Sequence, residues 1–279
     1  MTESGPLSKP RLPTPPGACD THMHIYHPEY VPLPGANFPA LPATVDDYRK
    51  LRARLGLTRS VVVQPTAYGN DNRCTLMAMQ ALGDTRGVAI LLPTDTEAEI
   101  ERLHQLGMRG LRYHMLPGGG VTWETMPAMA ARVAAYGWHV QVQMDAREFA
   151  AREVMLKALR CNVVIDHIGR FAPPLATGDA NWAAFRRLID SGRCWVKLSA
   201  PYHGSKNGPP RYEDVAPLAQ ELVRAAPERM LWASNWPHPM VKKDFPDAAA
   251  LLDLVADWAG SDAVRQRILV ANPAKLYGF

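Results

Sequence analysis

Cysteine is scarce and scattered. The four in 279 residues, Cys19, Cys74, Cys161 and Cys194, show no C-x-x-C or ribbon spacing. That argues against a zinc ribbon and a disulfide framework, and in a chain this size they read as small core residues of a cytoplasmic protein. No apolar run approaches the ~18 residues a membrane span needs. Residues 1–16 are polar and Pro-rich and lack the apolar stretch of a signal peptide; they read as a flexible arm. There is no block of Lys or Arg, and 31 basic against 27 acidic residues leave a net charge of only +4. So mild and evenly spread a charge argues against a nucleic-acid partner. The expected partner is a small molecule, and the expected state a monomer or small homo-oligomer.

What is present is an apolar fraction of 47%, enough for a sizeable core, and a regular alternation. Strands are expected over 17–24, 60–64, 87–92, 108–115, 139–145, 162–167, 194–199 and 230–235. Helices are expected over 44–56, 70–82, 94–106, 122–136, 146–159, 179–191 and 211–225, with terminal helices at 248–258 and 262–270. Thr44 is the expected N-cap of the first helix and Gly56 its stop. Thr94-x-x-Glu97 resembles a capping box, and Asp71 and Asn72 read as N-cap residues. A Pro-rich loop after the first strand, with Pro28, Pro32, Pro34, Pro39 and Pro42, is long enough to suggest a lid. Strands alternating with helices of this length form parallel βαβ units. Eight units in one domain, residues 17–279, predict a (β/α)8 TIM barrel. The alternative, an open doubly wound sheet, would carry a Gly-rich phosphate loop after its first strand, and none is there.

A barrel places chemistry at the C-terminal ends of its strands, and those ends are polar. The first carries Asp20, His22 and His24, expected on one face. The second carries Gln64 and Thr66, and the fourth Arg112 and His114. The fifth carries Gln141, Gln143 and Asp145, and the sixth Asp166 and His167. The seventh carries Lys197 and Ser199, the eighth Asn235 and His238. This convergence predicts a ligand site. Arg112 can grip a carboxylate through two parallel hydrogen bonds; its structural alternative is a pair with Asp145. Lys197 is a second cation, its alternative a buried pair with Asp20 or Asp166. His104 and His139 fall away from the rim and are expected to be structural.

The Asp-Thr-His-Met-His opening, the Ile-Asp-His-Ile-Gly-Arg run (165–170), the Ser-Asn-Trp-Pro-His-Pro run (234–239) and the closing Asn-Pro-x-Lys-Leu-Tyr resemble the amidohydrolase superfamily, specifically its amidohydrolase 2 branch. Within it the chain is similar to members that act on lactones of dicarboxylic acids and are described as metal-free. Metal-dependent relatives add a Lys or Glu on the fourth strand, a His on the fifth and an Asp on the eighth. Here those strands offer Arg112, Gln143 and Asn235. A site of His22, His24 and His167 remains open in principle, but a nearby Arg112 opposes a cation, so neither a metal nor a cofactor is expected. His22, His24 and His167 are the expected electrophilic groups. Thr66, Arg112, His114, Gln143, Lys197, Tyr202 and His238 are the expected substrate contacts. Where lactonases of the branch use an Asp as base, Asn235 has no basic lone pair. The resemblance therefore implies isomerisation of a sugar-diacid lactone by an internal hydroxyl. The alternatives are a lactonase acting on a dicarboxylate lactone such as a pyrone dicarboxylate, with a histidine base, and a non-catalytic sugar-acid binder.

Overall fold

In the computed structural model, which describes residues 8–36 and 42–279, β-branched and apolar runs form eight parallel strands. They are β1 (Cys19–Met23), β2 (Arg59–Val63), β3 (Thr85–Ala89), β4 (Met108–His114), β5 (His139–Gln143), β6 (Val163–Ile165), β7 (Cys194–Leu198) and β8 (Met230–Trp232). They pair in sequence order. A bridge from Met23 to Trp236, with the Asn235 N–H donating to the His22 carbonyl at 2.9 Å, brings the end of β8 back to β1. The fold is a (β/α)8 barrel in a single domain.

The helices between strands are α1 (Val45–Leu55), α2 (Arg73–Leu82), α3 (Glu97–Gln105), α4 (Met126–Ala134), α5 (Phe149–Ala158), α6 (Ala180–Asp190) and α7 (Ala216–Ala225). After β8 come α8 (Ala248–Ala259), α9 (Asp262–Gln266) and α10 (Asn272–Tyr277). A π-turn over 267–271 continues the backbone from α9 into α10, where a single helix over 262–270 is expected. Among the described residues no helix is long and apolar enough to cross a membrane. Residues 1–7 of the expected arm and 37–41 of the Pro-rich loop lie outside the described residues. Residues 8–16 run along the outside, where Arg11 pairs with Asp253 and Asp257 and Arg265 donates to the Pro13 carbonyl.

The strands divide the apolar residues into two layers. Val61, Val63, Val88, Val164, Trp195 and Leu231 fill the barrel interior with Tyr277 from α10. Their neighbours, among them Val62, Val140, Val142, Ile165 and Val196, meet the helices. Strand alternation separates the two sets. It is broken once, in β1. Between Asp20↔Ser60 and Met23↔Val62 the first strand advances three residues against two, a β-bulge that turns the following side chains to the opposite face. Asp20 therefore does not share a face with the histidines. It points outward, accepting from Ser234 Oγ at 2.5 Å and Tyr48 Oη at 3.0 Å, while His22 and His24 point inward.

Candidate active site

The strand ends open into a cavity of about 640 Å³. Its walls include His24 from β1, Thr66 after β2, Arg112 and His114 from β4, Gln143 from β5, His167 after β6 and Asn235 after β8. Of the expected contacts, His22, Lys197, Tyr202 and His238 do not line it: each stands one layer behind. Tyr26, Arg170 and His203, to which the strand pattern assigns no role, do line it. Arg170 was visible in the His-Ile-Gly-Arg run, but strand alternation has no purchase in the turn after β6.

The layer behind is a buried charge network. Lys197, wholly inaccessible, pairs with Asp166 at 3.5 Å and donates to Gln141 Oε1 at 2.6 Å. Gln141 Nε2 donates to Asp166 Oδ2 at 3.0 Å. Burial pulls Lys197 down to about 8, opposed by Asp166. Lys197 thus takes its structural alternative, with Asp166 as the partner. Arg112 does not: Asp145 is instead held by Arg147 at 2.6 Å. Arg112 is 4% exposed and stretches across the barrel, donating to the Gln64 carbonyl at 2.5 Å and toward Gln143 Oε1 at 3.4 Å. Among the described residues it makes no ion pair, and its Nε has no partner.

Burial holds the histidines in and behind the cavity toward the neutral form. Burial is the largest cause in each case: it holds His22 and His167 well below their ordinary value, His24 and His203 at about 3 and His114 at about 4. Neutral rings have one proton each, and the partners place it. The Val63 carbonyl can only accept, so His24 Nδ1–H donates to it at 2.7 Å and His24 Nε2 is bare. His22 Nε2 faces that bare nitrogen at 3.2 Å and must carry its proton. His22 Nδ1 is then an acceptor, 3.2 Å from Lys197 Nζ and 3.3 Å from Gln141 Nε2, with Oδ1 of Asp166, the partner of both donors' residues, also 3.2 Å away. The chain Lys197, His22, His24, Val63 is closed.

That chain bears on metal binding. His22, Asp166 and His167 bring possible ligand atoms within 4.8 Å of one another. Yet Asp166 is paired with Lys197, and in this tautomer the lone pair of His22 is on Nδ1, facing Lys197 Nζ and Gln141 Nε2. The lone pair of His24 is taken by His22, and Arg112 adds further positive charge. In this arrangement the cations Lys197 and Arg112 beside the cluster oppose a resident metal ion.

His167 Nδ1 lies 2.8 Å from Ser199 Oγ, leaving Nε2 as its other polar atom. The rim is also conformationally strained. His167, Ile168 and Arg170 after β6, Ala200 after β7, and Asn235 and His238 after β8 all have φ between 46° and 61°. Non-glycine residues reach this left-handed region at a cost that clusters at functional sites, Asn with least penalty.

Residues 19–279 match the Amidohydro_2 family, described as amidohydrolase. The chain belongs to the amidohydrolase family. This amidohydrolase is 37% identical to the D-galactarolactone isomerase of Agrobacterium fabrum, over 98% of this chain and 94% of that one. It is 33% identical to the 2-pyrone-4,6-dicarboxylate hydrolase of Comamonas testosteroni, over 97% and 93%. An apo crystal structure from Agrobacterium tumefaciens superposes with a TM-score of 0.90 at 37% identity, over 97% of this chain and 98% of that chain. With an isomerase and a hydrolase as relatives, the amidohydrolase is an enzyme, and the non-catalytic binder is set aside.

Proposed function

We propose that this amidohydrolase converts one lactone of a sugar diacid into another by intramolecular acyl transfer, without a resident metal. The observation that carries the reading is Asn235: an amide stands after β8, against the cavity, in the place from which a carboxylate could activate water for hydrolysis. An amide accepts a hydrogen bond but does not take a proton at neutral pH. It orients a hydroxyl already tethered to the substrate, whose local concentration replaces the missing base.

In the reaction a ring-substituent hydroxyl of the lactone attacks the lactone carbonyl carbon. A new C–O bond forms, the old ring C–O bond breaks, and the proton of the attacking hydroxyl ends on the released oxygen. No water is consumed. Arg112, rigid and without a carboxylate partner, faces the carbonyl oxygen, where negative charge develops. Arg170, nearer the mouth, holds the free carboxylate. His167, anchored by Ser199, offers Nε2 to relay the proton. Lys197 and His22 keep His24 in one tautomer.

The runner-up is hydrolysis, with His167 Nε2 as base for water. The substitution Asn235→Asp separates the two. It restores a carboxylate, and we expect the open diacid to become the principal product while ring interconversion falls. If product identity and rate both stay as in the parent, Asn235 does not orient the attacking hydroxyl.

A further inference from the structure

We propose that Tyr202 and His238 are positioning residues that fix which end of the Asn235 amide faces the cavity. The proposal rests on Asn235 being the group that orients the substrate hydroxyl. Neither Tyr202 nor His238 reaches the cavity wall. Asn235 Nδ2 donates to Tyr202 Oη at 2.8 Å, and Tyr202 Oη lies 2.9 Å from His238 Nδ1. Burial holds the phenol in its protonated form and His238 in its neutral form, at about 3. The phenol oxygen accepts from Asn235, so its own proton goes to His238 Nδ1. The wire ends there, since His238 Nε2 has no partner among the described residues.

The consequence is directional. A carboxamide turned by 180° occupies almost the same volume but exchanges an acceptor for two donors. With Nδ2 committed to Tyr202, the cavity receives Oδ1, the end that orients a hydroxyl through its proton. The backbone brings the parts together. Asn235 and His238 sit at φ 57° and 61° in a turn closed by the His238 N–H donating to the Asn235 carbonyl at 2.8 Å. Both ends of one turn therefore grip a single phenol from the segment after β7. A tyrosine kept only for packing would not need to be bracketed by polar groups on both sides.

The test reads the carboxamide directly. In the ¹H–¹⁵N spectrum, the Asn235 side-chain signals are identified by their loss in Asn235→Asp. In Tyr202→Phe we expect these signals to shift and exchange faster with solvent, while kcat for lactone conversion falls about tenfold, the worth of one hydrogen bond, and KM stays within about twofold. His238→Asn keeps an acceptor oxygen near the place of Nδ1 and tolerates the left-handed backbone, so it should retain the parent's carboxamide signals and kcat. Unchanged Asn235 signals in Tyr202→Phe overturn the proposal, even if the melting temperature drops. A shift of the signals in His238→Asn as large as in Tyr202→Phe also overturns it. If the parent converts no sugar-diacid lactone, the spectrum still decides the wire, and only the functional reading falls.

Discussion

Arg112 and Arg170 both line the cavity; the proposed reaction gives them different jobs, and kinetics can tell them apart. Arg112 is immobilised between the Gln64 carbonyl and Gln143, and in the proposed reaction it faces the oxygen where charge develops. Removing a group of that kind costs the transition state more than the ground state. Arg112→Gln is expected to lower kcat by roughly 10²–10³-fold with a smaller change in KM. Arg170 is less deeply held; burial lowers its pKa, with Asp145 opposing the shift. Arg170→Gln is expected to raise KM by roughly tenfold or more and leave kcat within about threefold, as loss of uniform binding does. Steady-state kinetics of the two variants checks both, and equal effects on kcat and KM in the pair would refute the assignment. At this scale strand parity found Arg112, His114, Gln143, His167 and Asn235. It placed His22 and Lys197 in the right cluster but one layer closer to the cavity than they stand, because burial depth along a barrel axis leaves no mark on alternation. It did not find Arg170 or His203, which lie further into the turns after β6 and β7 than the strand-end residues His167 and Ser199.

Element boundaries were legible where capping chemistry is unambiguous. Thr44 accepts from the Asp47 N–H, and Asp47 reaches back to the Thr44 N–H, a reciprocal box, with Gly56 left-handed at the other end of α1. The stretch Thr94-Asp-Thr-Glu-Ala-Glu99 holds two overlapping boxes, 94 with 97 and 96 with 99. The structure takes the second: Thr96 caps α3, while Asp95 turns back to the Leu92 N–H at 2.7 Å. Asn72 precedes α2 but makes no cap bond. Its side chain clamps the end of β3 instead, donating to the Ile90 carbonyl and accepting from the Ile90 N–H. The helix beginnings expected at 122 and 211 fall instead at Met126 and Ala216, since the residues before them form turns. Thr44→Ala is expected to cost about 1 kcal/mol and lower the melting temperature by roughly 2 °C, and Thr94→Ala to leave it unchanged. A thermal melt distinguishes them, and equal losses would contradict the capping assignment.

For the whole molecule, a barrel floored with neutral histidines has a pH signature. His24, His203 and His238 are held at about 3 and His114 at about 4, below the ~6.5 of an unfolded chain. Between these values the unfolded state binds more protons than the folded one, so stability rises with pH through that window and is fully present above ~6.5. We expect the urea midpoint at pH 5 to lie below that at pH 7.5 with the m-value unchanged; a midpoint that rises on acidification would mean the rings are charged in the fold. The fold itself was the most legible feature, because eight repeats of one pattern average out errors in any single boundary. The β1 bulge escaped, since one extra residue in a strand changes no composition and no period long enough to see.

Acyl transfer between two hydroxyls of the same molecule, with no metal taking part, leaves a signature in the products. Proton NMR of chelator-treated protein with D-galactaro-1,5-lactone at near-neutral pH, beside an enzyme-free control, reads it. We expect the 1,4-lactone to appear faster than in the control, with no metal restored and no matching rise in the open diacid. Faster appearance of the open diacid alone, or turnover that vanishes on chelation and returns with a divalent cation, would refute metal-free isomerisation.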